Sequence, residues 1–454
     1  MNITEMRRAL TRLPMSDRAV DGFLRLYKKF RKAPAKIGNW ESIRGPDEKS
    51  LLSYESLKKP DAGAVKNGLS KAAVCKLNGG LGTSMGCRAP KSSINVRQGK
   101  SFLDLIVEQL REMNREFQAG IPLILMNSFY THEETGKTIQ KYGGRVDILS
   151  FQQNRFPRLL EDPVQPLDEK IFRSNTWYPP GHGNFYSCIR DQGILDRLLE
   201  EGREILFVSN ADNLGAVLDP VIVNTMLEND IPFLMEMTEK TAADVKGGTL
   251  YQEDGKLKLL EIAQVPQEHV AEFCGQAKFK VFNTNNIWVN LIHLRNRLNQ
   301  GPLDLDVIVN RKNLEGTPVI QLETAIGAAL ECFPRAVGLT VARDRFLPVK
   351  KTDDLFLVQS DLFFTQKGRL IRNPGRKRPG LPWVQLRDPF QMLDEYQSRI
   401  PTVPSILELE SLELEGDVRF GKNVTLKGCV RLVARNRPLL IADGSVVENA
   451  VVEQ

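Results

Sequence analysis

From residue 72 onward, short apolar runs alternate with stretches in which apolar residues recur every three or four positions. The runs read as buried strands and the wider spacing as amphipathic helices, so their alternation predicts an α/β fold around a mostly parallel sheet. Candidate strands are 72–77, 121–126, 146–151, 205–208, 231–237 and 279–288. Phe102, Leu105, Ile106, Leu110, Met113 and Phe117 share one helical face, with Ser101 placed as its N-cap. Upstream, Val20, Phe23, Leu24, Tyr27 and Phe30 repeat at helical spacing and predict a small helical appendage over 1–55. Its last part, 37–54, mixes Gly, Pro and polar residues in a way that suits a linker. The pattern changes again past the Pro-rich PGRKRPGLP. Ile406, Leu412, Val418, Val424 and Val430 lie six apart, the period of a parallel β-helix in which each apolar residue points inward. The phase slips after Val430 and resumes at Val446 and Val452. Three segments result: 1–55, a central domain over 56–370, and a C-terminal domain over 371–454.

The stretch AAVCKLNGGLGTSMGCRAPKS, residues 72–92, carries the first chemical signal. A buried strand empties into Gly79, Gly80, Gly82 and Gly86, which remove the Cβ atoms that would keep a ligand from backbone N–H groups, and Lys91 adds a cation at the far end. A polyphosphate ligand fits such a loop. A P-loop would close on Gly-Lys-Ser/Thr, and Gly82-Thr83-Ser84 has no lysine; the dinucleotide pattern G-x-G-x-x-G begins at Gly80 and reaches its last glycine one residue late. A glycine-rich structural turn is the alternative.

Other strand exits are polar as well. ILFVSNADNLG places Asn210, Asp212 and Asn213 after a strand, FKVFNTNNIWVN sets Asn283, Thr284, Asn285 and Asn286 inside an apolar stretch, and SFQQNRFPR offers Gln152 and Gln153. Amides donate and accept at once, as base edges and sugar hydroxyls require. Each exit alone reads equally as an Asx-turn or cap, whereas several on one sheet point to a ligand cleft beyond the strand ends. WYPPGHGN, residues 177–184, surrounds His182 with glycines that allow close approach, and Trp177 and Tyr178 offer faces for a base or sugar. Arg343, Arg345, Lys350 and Lys351 form a basic cluster.

Composition excludes several classes. At 454 residues the chain has room for two or three domains, and a net charge of +6 spread along it does not imply nucleic acid. The basic run at 372–378 reads as a solvated loop. No apolar run spans a bilayer and no signal peptide opens the chain, so no membrane partner is expected. Six scattered cysteines without a C-x-x-C pair and only four histidines argue against zinc or a disulfide framework and suit a cytoplasmic protein.

KLNGGLGTSMG, MNSF, FPR, WYPPGHG, SNADNLG, LLEIAQVP, FNTNNIWVN, QLETAIGAA and FLPVK, in this order, resemble the UTP–glucose-1-phosphate uridylyltransferase (UDP-glucose pyrophosphorylase) family from about Leu77 onward. The resemblance implies a doubly wound, Rossmann-like nucleotidyltransferase central domain, a small helical N-terminal segment and a C-terminal left-handed parallel β-helix. It implies UTP contacts at Leu77, Asn78, Gly79, Gly80, Lys91, Gln153, Gly181, Asp212 and Lys350, with Gln153 and Gly181 reading uracil. It also implies sugar contacts at His182, Asn210, Asn283 and Asn285. Asp212 corresponds to the residue that binds Mg2+, and Lys350, Lys91 and Asp212 to the catalytic groups.

The implied reaction is attack of a glucose 1-phosphate oxygen on the α-phosphorus of UTP, giving UDP-glucose and pyrophosphate. Two alternatives stand beside it: a UDP-sugar pyrophosphorylase of other or broader sugar specificity, and a non-catalytic UDP-sugar-binding scaffold. A dehydrogenase fits poorly. The chain departs from the family pattern at Asn184, where Asp is usual, and at Ala89, where a glycine is common. It stops soon after ENAVVE, where octameric relatives continue, and a monomer or small homo-oligomer is expected.

Overall fold

The protein is described by a computed structural model covering residues 1–32, 40–47, 49–87, 89–241, 244, 247–253 and 255–454; residues 37–39 and 48 of the expected linker lie outside it. The chain forms two compact units. The first comprises Met1–Gly79, Asn114–Ser209 and Leu218–Arg343, and the second Gly80–Met113, Asn210–Val217 and Asp344–Gln454.

The first unit opens with helices α1 (Ile3–Leu10) and α2 (Asp17–Arg31). Ser16 caps α2 by accepting from the Ala19 N–H, and Val20, Phe23, Leu24 and Tyr27 recur along one face. All four are buried in a cluster with Phe156, Tyr178 and Leu322. Burial of each such side chain stabilises by roughly 1.5–3 kcal/mol, so the cluster binds α2 firmly to the body of the unit.

Within the segment read as a linker, Trp40 and Ile43 are packed against the unit. Trp40 is buried, stacks on His269 with ring centroids 4.5 Å apart, and donates from Nε1 to Glu272 at 2.6 Å. Farther on, Leu51–Ser53 is a strand, β1. Its polar and Gly/Pro neighbours hid two large buried side chains, Trp40 and Ile43.

The other strands of the main sheet are β2 (Ala72–Asn78), β3 (Leu123–Asn127), β4 (Ile148–Gln152), β5 (Ile205–Asn210), β6 (Phe233–Glu239), β7 (Val281–Asn290) and β8 (Val337–Thr340). Their order is β1-β8-β6-β7-β5-β2-β3-β4. β2, β3 and β4 pair in parallel, as do β1 and β6 with β8, whereas β7 runs antiparallel to both β5 and β6. The expectation of a mostly parallel sheet holds, with one reversed strand. Register aligns Asn78 with Asn127, and Asn127 with Gln152, so the polar exits of three neighbouring strands share one end of the sheet. On β7 the pairing jumps from Ile287–Met235 to Asn283–Met237, a bulge that pushes residues 284–286 out of the ladder.

In the second unit, the predicted helix is observed over Phe102–Phe117, with Ser101 Oγ accepting from the Asp104 N–H at 3.2 Å. Beyond helix Thr352–Gln359 the chain enters a parallel stack: β9 (Trp383–Leu386), β10 (Leu409–Phe420), β11 (Thr425–Ile441), β12 (Val446–Glu448) and β13 (Val451–Glu453). Ile406, Leu412, Val418, Val424 and Val430 all point inward and are buried, as their spacing requires. Gly416 is obligatory, since a Cβ there would sit 1.9 Å from the Ala434 carbonyl oxygen and its φ is +79°. Val446 breaks the pattern, being 63% exposed, whereas Val452 is half-buried beside Leu432 and keeps the inward phase in part. Nor is the 372–378 run simply solvated, because Arg376 donates to the Leu407 and Leu409 carbonyls and Arg378 pairs with Glu410. No helix among the described residues is long and apolar enough to cross a membrane.

Candidate functional site

In the first unit the start of the glycine loop is built around β2. The Asn78 amide is buried and donates to Asn127 Oδ1 at 2.8 Å and Thr135 Oγ1 at 2.9 Å, so it anchors the strand end. Its side chain is spent on the fold, which leaves any ligand contact to the backbone. Gly79 is fixed by Ser128 Oγ, which donates to its carbonyl at 2.7 Å. A Cβ on Gly79 would lie 2.6 Å from Gln153 Nε2, so the residue is glycine to let Gln153 pass over it. Gln153 is buried, and its Oε1 has no hydrogen-bond partner, the condition of an amide awaiting a donor. Leu77 sits half-buried beside the core at the end of the same strand. Structure thus joins Gly79 to Gln153, two residues that the sequence placed 74 positions apart.

WYPPGHG closes on a segment to which the sequence assigned no chemistry. A Cβ on Gly181, whose φ is +79°, would come within 2.5 Å of the Thr324 carbonyl oxygen, and one on Gly183 within 2.5 Å of Thr324 Oγ1. His182 Nδ1 accepts from the Ile326 N–H at 2.8 Å, which places the proton of a neutral ring on Nε2. Trp177 and Tyr178 are both buried. The Tyr178 hydroxyl is taken up by the backbone of Leu322, so Tyr178 forms wall rather than a stacking platform.

Asn283 reaches the same segment, its Nδ2 lying 3.9 Å from where a Cβ on Gly327 would be. Asn283 Oδ1 accepts from the Asn285 N–H at 2.8 Å and helps hold Asn285 at a φ of +58°, a left-handed conformation that the β7 bulge demands. Glu261 hydrogen bonds to Asn283; burial, opposed by that bond, pushes its carboxyl up to about 6.

Sequence reasoning missed Thr324 and Gly327, although both lie in the QLETAIGAA string. It also missed Glu236, a wholly buried carboxylate that accepts from Asn286 Nδ2 at 3.0 Å and Trp288 Nε1 at 2.8 Å. Lys76 was missed as well: it is buried in β2 and donates to Ser209 Oγ at 2.7 Å beside the Phe207 ring. A lysine inside an apolar strand was its visible signal.

In the second unit, Lys91, Asp212 and Lys350 converge. Lys91 Nζ lies 2.8 Å and Lys350 Nζ 3.2 Å from the same Asp212 oxygen, Oδ2. Three local devices set this geometry. The Lys91 N–H donates to the Gly80 carbonyl, closing the glycine loop on itself. The Val349 N–H donates to the Asp212 carbonyl, and Asn213 bridges to Pro348 in an antiparallel pair. Asp354 accepts from the N–H groups of Lys350 and Lys351 at the start of helix Thr352–Gln359.

Burial raises the Asp212 pKa, but Lys350 and Lys91 outweigh it and the carboxyl ends below its ordinary value. Asp212 Oδ1 is buried without a hydrogen-bond partner. Asn210 accepts through its carbonyl from the Asn213 N–H and so belongs to the same turn. Gly80, in this unit, has nothing within 4 Å of a would-be Cβ among the described residues.

The residues of the expected basic cluster are divided between the two units. Arg343 is paired bidentately with Asp244 at 2.7 and 2.8 Å in the first unit, and Arg345 donates to the Val217 carbonyl in the second. Lys350 is the member of the four that pairs with Asp212 within the second unit. Among the described residues no three His, Cys, Asp or Glu side chains gather as a metal cluster.

A parallel sheet with amide-lined strand ends, a backbone loop stripped of Cβ atoms and two ammonium groups on one buried carboxylate define a nucleotide-handling α/β protein. More narrowly, the chain belongs to the UTP–glucose-1-phosphate uridylyltransferase family, whose model matches residues 20–427. It is 50% identical over 432 residues to UTP–glucose-1-phosphate uridylyltransferase 2 of Dictyostelium discoideum, covering 94% of this chain and 86% of that relative. With the Musa acuminata uridylyltransferase it shares 45% identity over 99% of this chain and 98% of the other. Among solved structures, the Trypanosoma brucei UDP-glucose phosphorylase superposes with a TM-score of 0.87 at 35% identity, over 100% of this chain and 98% of that one. A mutant UDP-glucose pyrophosphorylase of Leishmania major in complex with UDP-glucose gives 0.88 at 30%, with the same coverage.

Proposed function

We propose that this chain is an active uridylyltransferase that joins UTP and glucose 1-phosphate into UDP-glucose and pyrophosphate. The observation that carries the proposal is the convergence of Lys91 and Lys350 on Asp212. A protein that merely binds a nucleotide sugar has no need to hold two ammonium groups and an under-bonded carboxylate at one point.

In the reaction a phosphate oxygen of glucose 1-phosphate attacks the α-phosphorus of UTP, a new P–O bond forms, and the bond to the bridging oxygen breaks. Its electron pair leaves on pyrophosphate. The nucleophile and leaving group belong to the substrates, so the protein supplies orientation and charge. Lys350 stabilises the negative charge on the transferring phosphoryl group and Lys91 holds the nucleotide phosphates.

Asp212 fits a magnesium ion: Oδ1 is a buried hard oxygen with no other partner, and one or two carboxylates plus substrate phosphates are the usual protein contribution to such a site. When bound, the ion neutralises phosphate charge. The family resemblance supports the remaining roles: Leu77, Asn78 and Gly79 carry the loop backbone, with Gln153 and Gly181 at uracil. His182, Asn283 and Asn285 serve the sugar, as does Asn210 at the turn to Asp212, and Gly80 leaves room for the phosphates.

The finer architecture belongs to the same proposal. The main sheet is doubly wound, and the C-terminal parallel stack is a left-handed β-helix. The cytoplasm is the expected compartment, in keeping with six free cysteines.

The test is pyrophosphate release from UTP with a panel of sugar 1-phosphates, with and without magnesium. Release with glucose 1-phosphate that depends on magnesium supports the proposal. Release with none of the sugars would leave only the scaffold reading, and a preference for another sugar would shift the assignment to a UDP-sugar pyrophosphorylase.

A further inference from the structure

A cavity of about 280 Å³ in the first unit lies between α2 and helix Phe185–Asp191 and is floored by Phe156 and Leu303. That volume sits near the lower end of ligand pockets, which begin at roughly 300 Å³, so it suits a small molecule. Four cations line it, Arg18, Arg25, Lys29 and Arg190, against three carboxylates, Asp21, Asp191 and Asp304.

Each carboxylate is already engaged. Asp21 pairs with Arg7 at 2.7 Å, Asp304 with Lys29 at 2.7 Å, and Asp191 with Arg190 at 2.9 Å and Arg18 at 3.4 Å. Arg25 differs in degree: among the described residues no carboxylate lies within 4.0 Å of its guanidinium, and Asp21 and Asp191 act on it from farther away. It stands at the exposed mouth of the cavity, seven residues beyond Arg18 and on the same helical face. Its Nη2 is 3.7 Å, and the Phe156 ring 3.5 Å, from the point that a Cβ on Gly22 would occupy. Gly22 thus leaves a slot with a guanidinium that has no close carboxylate on one side and an aromatic ring on the other. The opposite wall includes Gly183 and Asn184, the turn that follows His182.

We propose that this cavity is a second ligand site, taking a small phosphate monoester whose anionic head pairs with Arg25 and whose apolar body rests on Phe156 and Leu303. A guanidinium presents parallel N–H donors that match phosphate oxygens in pairs, and the slot beneath supplies the apolar contact. All the residues of this site belong to the first unit, and the proposal does not depend on the reaction assigned to Lys91, Asp212 and Lys350.

The test is calorimetric titration of phenyl phosphate into the full chain, alone and after saturation with UDP-glucose, with benzyl alcohol as the uncharged control. A saturable site that persists in UDP-glucose, at least tenfold weaker in both Arg25→Met and Gly22→Leu, supports the proposal. Arg25→Met removes the charge, and Gly22→Leu fills the slot without a new polar group. Affinity in either variant equal to that of the unaltered chain, no saturable binding to the unaltered chain, or benzyl alcohol binding as tightly as phenyl phosphate would overturn it. Failure of UDP-glucose to bind would count against the transferase reading instead, since the variant comparison is made without it as well.

Discussion

Lys91 Nζ lies 2.8 Å from Asp212 Oδ2 with only 14% of its side chain exposed, whereas Lys350 meets the same oxygen from a side chain that is 56% exposed. The two lysines therefore separate structure from chemistry. Taking Lys91 away leaves a buried carboxylate short of its inner partner, a loss on the order of 3 kcal/mol for pairs of this kind. Lys350 is screened by solvent, and its removal should cost under about 1 kcal/mol. Both substitutions should lower kcat by roughly 100-fold or more if, as proposed, Lys350 faces the transferring phosphoryl group and Lys91 the nucleotide phosphates. Urea unfolding and steady-state rates on Lys91→Ala and Lys350→Ala check this; equal stability losses would show that burial does not distinguish the two.

Asp212→Asn removes the charge that both lysines face. Because its folded-state pKa is lowered, Asp212 contributes stability that is present above its ordinary value of 3.8 and is lost as pH falls through the folded value. In the Asn variant that acid-side loss should shrink, so its unfolding midpoint should fall less than that of the unaltered chain between pH 5 and pH 3. Magnesium titration of the residual activity should show a weakened metal dependence. A full metal response in the variant would remove Asp212 from that role.

Gly79 and Gly80 looked alike in sequence and differ in structure. A Cβ on Gly79 collides with Gln153 Nε2 at 2.6 Å, while one on Gly80 meets nothing within 4 Å among the described residues. Gly79→Ala should displace Gln153 and raise the KM for UTP together with a loss of thermal stability. Gly80→Ala should leave thermal unfolding unchanged, so any rise in its KM reports a clash with the ligand alone. A large drop in the melting temperature of Gly80→Ala would contradict this division.

The sequence made legible what depends on period and type. The α2 face, six of the eight strands of the main sheet (all but β1 and β8) and the inward residues from Ile406 to Val430 were readable because burial at a fixed spacing leaves a repeating apolar signature. Trp40 escaped because two buried residues among glycines and polar neighbours have no period. The reversal of β7 escaped because a strand's direction depends on its pairing partners. Thr324 and Ile326 are functionally placed only by their contacts with Gly181, Gly183 and His182, across more than 140 positions of chain. Backbone contacts of that kind leave no mark on residue type. Lys91 and Lys350 were paired through resemblance, since nothing in their local patterns joins them.

Glu236 holds the β7 bulge from beneath. Its carboxylate accepts from Asn286 Nδ2 and Trp288 Nε1, and its carbonyl from Thr284 Oγ1 at 2.8 Å. Glu236→Gln keeps the shape but replaces one accepting oxygen with an NH2, leaving a buried donor facing another donor at a cost of roughly 1–3 kcal/mol. The bulge carries Asn285, so the KM for glucose 1-phosphate should rise more than that for UTP. Equal changes in both constants would mean that Glu236 supports the fold without positioning the sugar side.

Glu261 supplies the alkaline counterpart to Asp212. Burial lifts its carboxyl from 4.5 to about 6 despite the bond to Asn283, so the folded state holds a proton that the unfolded state releases sooner. Its contribution to stability is complete below pH 4.5 and is lost as pH rises through about 6. Above that, a charged carboxylate sits buried next to Asn283, and the Asn283–Asn285 turn should loosen with it. Glu261→Gln keeps a neutral partner for Asn283 at every pH. Its melting temperature should fall less than that of the unaltered chain between pH 5 and pH 7.5, and its KM for glucose 1-phosphate should vary less over the same range. Parallel melting curves for the two proteins would show that Glu261 does not titrate in this window.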